Sequence, residues 1–342
     1  MVKTMKSRLI KSIKPIDFQW QTSDPFLFCA YHKDFYPAGN EDSGPAASLE
    51  GRNIGMDFEI KDGWRMYHGD KVPGFPVHPH RGFETVTIVQ QGLVDHADSM
   101  GAAGRYGGGD VQWMTAGGGV QHSEMFPLVN QDRSNTLELF QVWLNLPAEN
   151  KMVEPHFSMF WASKIPQKVF RDESGNNVQV DVIAGILDDA QVLSPPPDSW
   201  AGNPDNHVAI WTIIMSAGAR WVLPKSVPGL NRSLYFYQGE SLTIDGEEIS
   251  PMHKIELQPD MDAVLHNANE ECRLLLLQGR PINEPVEQYG PFVMNTRNEI
   301  MTALKDYQDT EFGGWPWPNR DQVHTGKRRF ARHADGKTEE AE

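Results

Sequence analysis

Short runs of apolar and β-branched residues, broken at close intervals by turn residues, dominate the chain. Glu84 to Val89 (ETVTIV) and Leu137 to Val142 read as strands rich in Thr, Val and aromatic residues, bounded by Gly, Asp or Pro. Gly101, Gly104 and Gly107 to Gly109 mark one turn region, and Gly117 to Gly119 another. Neither glycine run carries the lysine of a phosphate loop or precedes a helix, so both are read as β-turns. A second block repeats the pattern. Val178 to Ile183, His207 to Met215, Ser233 to Tyr237, Leu242 to Ile244, Ala263 to Leu265 and Arg273 to Leu277 alternate or run apolar between turns. Such spacing predicts an all-β sandwich or barrel in each block.

Between the blocks lies a proline-containing connector, Asn145 to Pro166. Pro195 to Pro197, with Gly202, Asn203 and Pro204, is a loop rather than a strand. Asn298 to Tyr307, with Ile300, Met301 and Leu304 apolar, predicts one short helix. Beyond Phe312 the composition turns polar, with a basic run Lys327 to Arg332 and an acidic end Glu339 to Glu342, so a poorly ordered tail is expected there.

Composition narrows the function classes. Of 342 residues, 39% are hydrophobic and 23% charged, and the 30 Gly and 24 Pro favour turns and strands over long helices. A net charge of −15 disfavours a nucleic-acid or anionic-membrane binder, though not a protein partner. The two cysteines, Cys29 and Cys272, make no disulfide framework and suit a reducing compartment. The basic start, Met1 to Lys14, has no apolar core behind it and is not read as a signal peptide. No stretch approaches 18 apolar residues, so no membrane span is expected.

The candidate chemistry sits in the first block. His78-Pro79-His80 precedes the apolar run Val86 to Val89, and His122-Ser123-Glu124 follows about forty residues later. Residues two apart on a strand point to one face. Two such pairs facing each other would gather three imidazoles and one carboxylate, a set that suits a divalent transition metal such as iron, nickel, copper or zinc. Glu84 is expected to brace a nearby ligand by hydrogen bonding rather than to join the set. His96, in VDHADS, is expected to be a strand residue with a local partner, with the cavity wall as the other reading. The second block contains His207, His253 and His266, none in an HxH or HxE pair.

The run HPHRGFETVTIV, followed by GDVQWMTAGGGVQHSEM, resembles the pirin family of the cupin superfamily. The resemblance continues in QVWLNLPAENKMVEPHF (141–157) and returns in EPVEQYGPFVMNTRNEI (284–300). It implies a bicupin: two antiparallel β-barrels, the N-terminal one holding a single metal, usually iron. The ligands implied are His78, His80, His122 and Glu124. Expected domains are a metal-binding cupin over 1–160, a metal-free cupin over 161–308 with the short helix at its end, and a polar tail over 309–342. The cofactor expected is one Fe²⁺ per chain, with another divalent transition metal as the alternative.

Family resemblance also implies two kinds of activity. One is quercetin 2,3-dioxygenase-type opening of a flavonol by O₂, in which the chemistry of the site would make Glu124 the catalytic base. The other is non-enzymatic, a metal- or redox-dependent regulator that binds a transcription factor or a metabolic enzyme. A cytoplasmic monomer is expected, with neither nucleic acid nor membrane as partner. Phe75, Val77, Met114 and Phe126 flank the motifs and read equally as cavity-lining or as core residues.

Overall fold

Almost every ladder in the computed structural model is antiparallel, as short strands joined by tight turns require. The structure describes residues 9–341. The first eight residues of the basic start, and Glu342 of the acidic end, lie outside the described residues. The chain forms two all-β units, with one short helix near its end.

One unit comprises the residues up to Phe28, Lys164–Pro195 and Trp200–Asn283. Its seven-stranded sheet centres on Asn231–Gln238, Cys272–Gly279 and Ala209–Met215, and its four-stranded sheet centres on Ala263–Asn267 and Leu242–Ile244. Between them Trp211, Leu234, Leu274, Leu276, Ile255 and Leu265 form a continuous apolar core. Ile10–Pro15 is an outer strand of the larger sheet, paired with His253–Leu257. The first described strand therefore folds with the second block, not with the 1–160 domain expected for it.

The other unit comprises Cys29–Ser163, Pro196–Ser199 and the segment from Glu284 onward. Its back sheet runs His156–Phe160, Val111–Thr115, Phe83–Gln91, Asn135–Asn145 and then Phe26–Tyr36, the strand in which the chain passes from one unit to the other. Its front sheet runs Thr338–Glu340, Phe330–Arg332, Ala103–Gly107, Leu93–Asp98, Val120–Met125 and Gly74–His80. The expected poorly ordered tail is thus corrected: Phe330 and Ala331 pair with Arg105 and Gly104. Composition misled here because the tail is held mainly by polar anchors. Arg105 donates to the carbonyls of Gly326 and His324, and Arg329 forms an ion pair with the buried Asp110 at 2.8 Å.

The helix spans Arg297–Thr310, slightly longer than the sequence pattern gives. Thr296 caps it, accepting from the Glu299 amide, while the Glu299 carboxylate accepts from the amide of Asn295, the residue before the cap. Ile300 and Ala303 pack on Phe292 and Met294, so the helix belongs to the unit of the HxH motif rather than to the 161–308 domain. No helix among the described residues is long and apolar enough to cross a membrane. Both cysteines are buried free thiols.

Two features of this unit yield tests. Gly82 has φ +85°, and a Cβ there would lie 2.0 Å from the carbonyl oxygen of Val293. Gly82→Ala is expected to lower the unfolding free energy by about 1–3 kcal/mol, measured by denaturant titration. An unchanged midpoint would mean that Phe292–Met294 does not sit against this turn.

Glu84 is fully buried and accepts from Thr115 Oγ1 at 2.7 Å and from Ser199 Oγ at 2.5 Å. Burial raises its carboxyl to about 7, against those hydrogen bonds. An unfolded chain would release that proton near the ordinary glutamate value of about 4.3. The stability from this group is therefore fully present below that pH and is lost as pH rises to about 7. Glu84→Gln, which stays neutral, is expected to flatten this decline and to exceed the parent by about 1–3 kcal/mol at pH 8. The same pH slope in both proteins would show that the carboxyl does not titrate there.

Candidate metal centre

The two motifs occupy neighbouring strands, Gly74–His80 and Val120–Met125, and pair with His78 opposite His122. Alternation turns Pro79 and Ser123 away from the side chains between which they stand. The nitrogen ligand atoms of His78, His80 and His122 lie within 4.8 Å of one another. Their ring centroids are 4.5 Å apart for His78 and His122, and 4.8 Å apart for His80 and His122.

Backbone carbonyls orient two of the rings. His78 Nδ1 lies 2.9 Å from the Pro76 oxygen. A carbonyl only accepts, so Nδ1 carries the proton and Nε2 keeps its lone pair for a metal. His80 Nδ1 makes the same contact with Pro291 at 3.4 Å. His122 is fully buried, yet neither ring nitrogen has a hydrogen-bond partner among the described residues. An imidazole buried with both nitrogens unsatisfied is costly, and a metal ion would satisfy one of them. Burial also holds the rings neutral, the form that ligates. It pushes His78 down to about 4 and holds His80 and His122 well below the usual histidine range. The residues present therefore fit a divalent transition metal.

Glu124 stands beside this triad. Its Oε2 is 3.8 Å from His122 Nε2, too long for a hydrogen bond. Thr87 Oγ1 donates to Oε1 at 3.1 Å and Gln141 Nε2 to Oε2 at 3.2 Å. Burial raises the Glu124 carboxyl above its ordinary range, and these two donors oppose the rise. Thr87 Oγ1 also lies 2.7 Å from the Gln141 oxygen and shares its single proton between the two acceptors, so three side chains lock one another.

Glu84 does not brace a ligand. The strand Phe83–Gln91 directs Phe83 toward His80, with rings 5.0 Å apart, and Thr87 toward Glu124. Glu84, of opposite parity, faces the other side of the sheet. His96 has the local partner expected, Asp98 Oδ2 at 3.1 Å from Nε2, but it also reaches the centre. Its ring centroid is 5.4 Å from His122, it pairs across the ladder with Glu124, and its buried Nδ1 has no partner among the described residues.

Thr87 and Gln141 are functional candidates that sequence reasoning missed. Strand parity could have found Thr87, because Thr85 and Thr87 must face opposite to Glu84.

Of the flanking residues, Phe75 is half-buried with its ring 6.3 Å from His78, whereas Met114 packs inside with Ala116 and Val120. Val77 and Phe126 are buried. His78, Gln141, Trp143 and Phe75 are half-buried while His122 is enclosed, so solvent approaches the cluster from the His78 side. A separate groove of about 350 Å³ beside Phe126, Gly92 and Asn135 is lined by none of the four expected ligands. In the other unit His253 Nδ1 contacts the Ser250 oxygen, and His266 is exposed.

The family model described as Pirin matches residues 17–144, and that described as Pirin C-terminal cupin domain matches 210–313. A Pseudomonas aeruginosa protein named provisionally as a quercetin 2,3-dioxygenase is 40% identical over 243 residues, covering 70% of this chain and 80% of its own length. A pirin-like protein of Solanum lycopersicum is 38% identical over 240 residues, covering 69% of this chain and 75% of its own. Among solved structures, a quercetin 2,3-dioxygenase from Acinetobacter baumannii superposes with a TM-score of 0.68 at 28% identity, covering 89% of this chain and 98% of that one. With both cupin halves matched in order and a histidine triad in the first, the chain belongs to the pirin family.

Proposed function

We propose that the chain is an iron-dependent dioxygenase that opens quercetin or a related flavonol with O₂. The observation that carries this reading is the buried histidine triad beside a carboxylate that Thr87 and Gln141 orient. His78, His80 and His122 would hold one Fe²⁺, with Glu124 as the fourth ligand. Bound there, the metal would supply open coordination positions for a chelating hydroxyl and carbonyl and for O₂.

The protein's own residues would then do three things. Thr87 and Gln141 hold the Glu124 carboxylate in place. Glu124, made more basic by burial, takes the proton from the flavonol hydroxyl. Phe75 and Trp143, half-buried near His78 and His80, offer ring faces to a flat aromatic substrate. The names of the Pseudomonas and Acinetobacter relatives support the substrate class. The two buried free thiols support a reducing, cytoplasmic setting.

Elemental analysis is expected to give one metal per chain, lost in His80→Ala and His122→Ala. Two metals per chain, or unchanged content in either variant, would overturn the ligand assignment. Oxygen uptake by the iron-loaded protein with a flavonol panel tests the reaction itself. Glu124→Gln is expected to retain metal and to lose activity by about 10²- to 10⁴-fold, the usual worth of a positioned base. No uptake with any flavonol, together with metal-dependent binding of a protein partner, would replace the enzyme reading with the regulatory one.

A further inference from the structure

The alternation that turns His78, His122 and Glu124 inward leaves their sequence neighbours on the other face or edge of the same sheet. The segment from Glu311 onward meets those neighbours. The Val77 amide donates to the Arg320 carbonyl at 2.8 Å. Gln121 Nε2 donates to the Glu311 carbonyl at 2.7 Å, and Tyr307 donates its hydroxyl proton to Gln121 Oε1 at 3.1 Å. Trp317 Nε1 donates to the Asp98 carbonyl at 2.8 Å. His324 touches the strand of His96 twice, its amide donating to Asp95 Oδ2 and its Nε2 to the His96 carbonyl, both at 2.8 Å. Phe312 packs on the turn before His122, where a Cβ on Gly119 would come within 2.7 Å of its ring. Nearly all of this segment lies beyond residue 313, where the matched family region ends.

We propose that residues 311–341 form a positioning strap for the metal centre, fixing the two ligand strands from outside and so setting how tightly the histidine triad holds a divalent metal. This rests on the metal-centre reading above. Gly74–His80 is the last strand of its sheet, with Val120–Met125 as its one neighbour there, and their ladder is irregular between Phe75 and His78. An edge strand with a broken ladder is the part of a sheet most free to shift. A ligand cluster must be held to within about 0.5 Å to keep its geometry. The Arg320 carbonyl gives Val77 the partner that the ladder lacks, one residue from His78. Outer supports of metal ligands commonly alter affinity by about 10- to 100-fold.

Binding linkage is reciprocal: if the strap tightens the site, metal must tighten the strap. The test uses the full chain loaded with Co²⁺, whose visible absorption reports ligand geometry. Trp317→Phe combined with His324→Phe removes two side-chain donors to the ligand sheet. Release of Co²⁺ to a chelator is expected to quicken about tenfold or more, with a shifted absorption band. Trp315→Phe is the control. Its indole donates only to Asn319 within the strap, so rate and band are expected to match the parent. A release rate within about twofold and an unmoved band in the double variant, even with a lower unfolding temperature, would reduce the strap to a passive cover and overturn the proposal.

Should the double variant not fold, hydrogen exchange in the parent decides. The Val77 and His324 amides are expected to exchange more slowly with metal than without, and equal rates would overturn the strap. A parent that binds no Co²⁺ would instead sink the metal-centre reading itself.

Discussion

The register between Gly74–His80 and Val120–Met125 is the constraint on which the site depends. With His78 opposite His122, three imidazoles converge and Glu124 lies one alternation further along the same face. A slip of Val120–Met125 by one residue would present Gln121 and Ser123 to the interior and turn His122 and Glu124 outward. The rest of the unit holds that register from several sides. Thr87 and Gln141 in the opposite sheet engage Glu124, the Pro76 and Pro291 carbonyls fix two imidazoles, and Phe83 packs its ring on His80.

The two units use one architecture for different ends. In the unit without the paired motifs, the space between the sheets is filled by aliphatic and aromatic side chains such as Leu234, Leu276, Ile255 and Trp211. In the other unit, part of the corresponding space holds histidines, a threonine, a glutamine and a glutamate, all needing partners. A site of this kind sacrifices apolar packing, and the surrounding shell makes up the difference. Lys151 illustrates the scale of that shell. It is buried, its ammonium is pulled down to about 8 by desolvation, and it donates to Gly82, Asn145 and Val293. That single side chain ties Phe292–Met294 to the turn that follows His80.

Much of this was legible in the residues. Period-two spacing picked out His78, His80 and His122, and turn glycines with β-branched runs gave the strands and the all-β class. The helix was visible from Ile300, Met301 and Leu304. What stayed hidden shares one cause: it depends on partners distant in the chain. Glu84 looked like a brace for the site because it is near in sequence, but its parity sends it to Thr115 and Ser199. Gln141 carries no local signal of its contact with Glu124. The tail looked disordered because its polar composition says nothing of Asp95, Arg105 and Asp110, the buried charges that it meets.

That last pairing bears on the order in which the protein is made. Arg105 and Gly326 touch although they are 221 residues apart in the chain. At about 5–20 residues per second, a ribosome that has just released Arg105 needs about 10–40 s to release its partner. Until then the strand Ala103–Gly107 has no Phe330–Arg332 to pair with, and Asp95 and Arg105 lack the amide and carbonyl partners that the tail brings. The first unit can therefore pair its strands early, but the sheet that carries the histidine triad is finished only by residues that arrive after the whole second cupin unit has been synthesised.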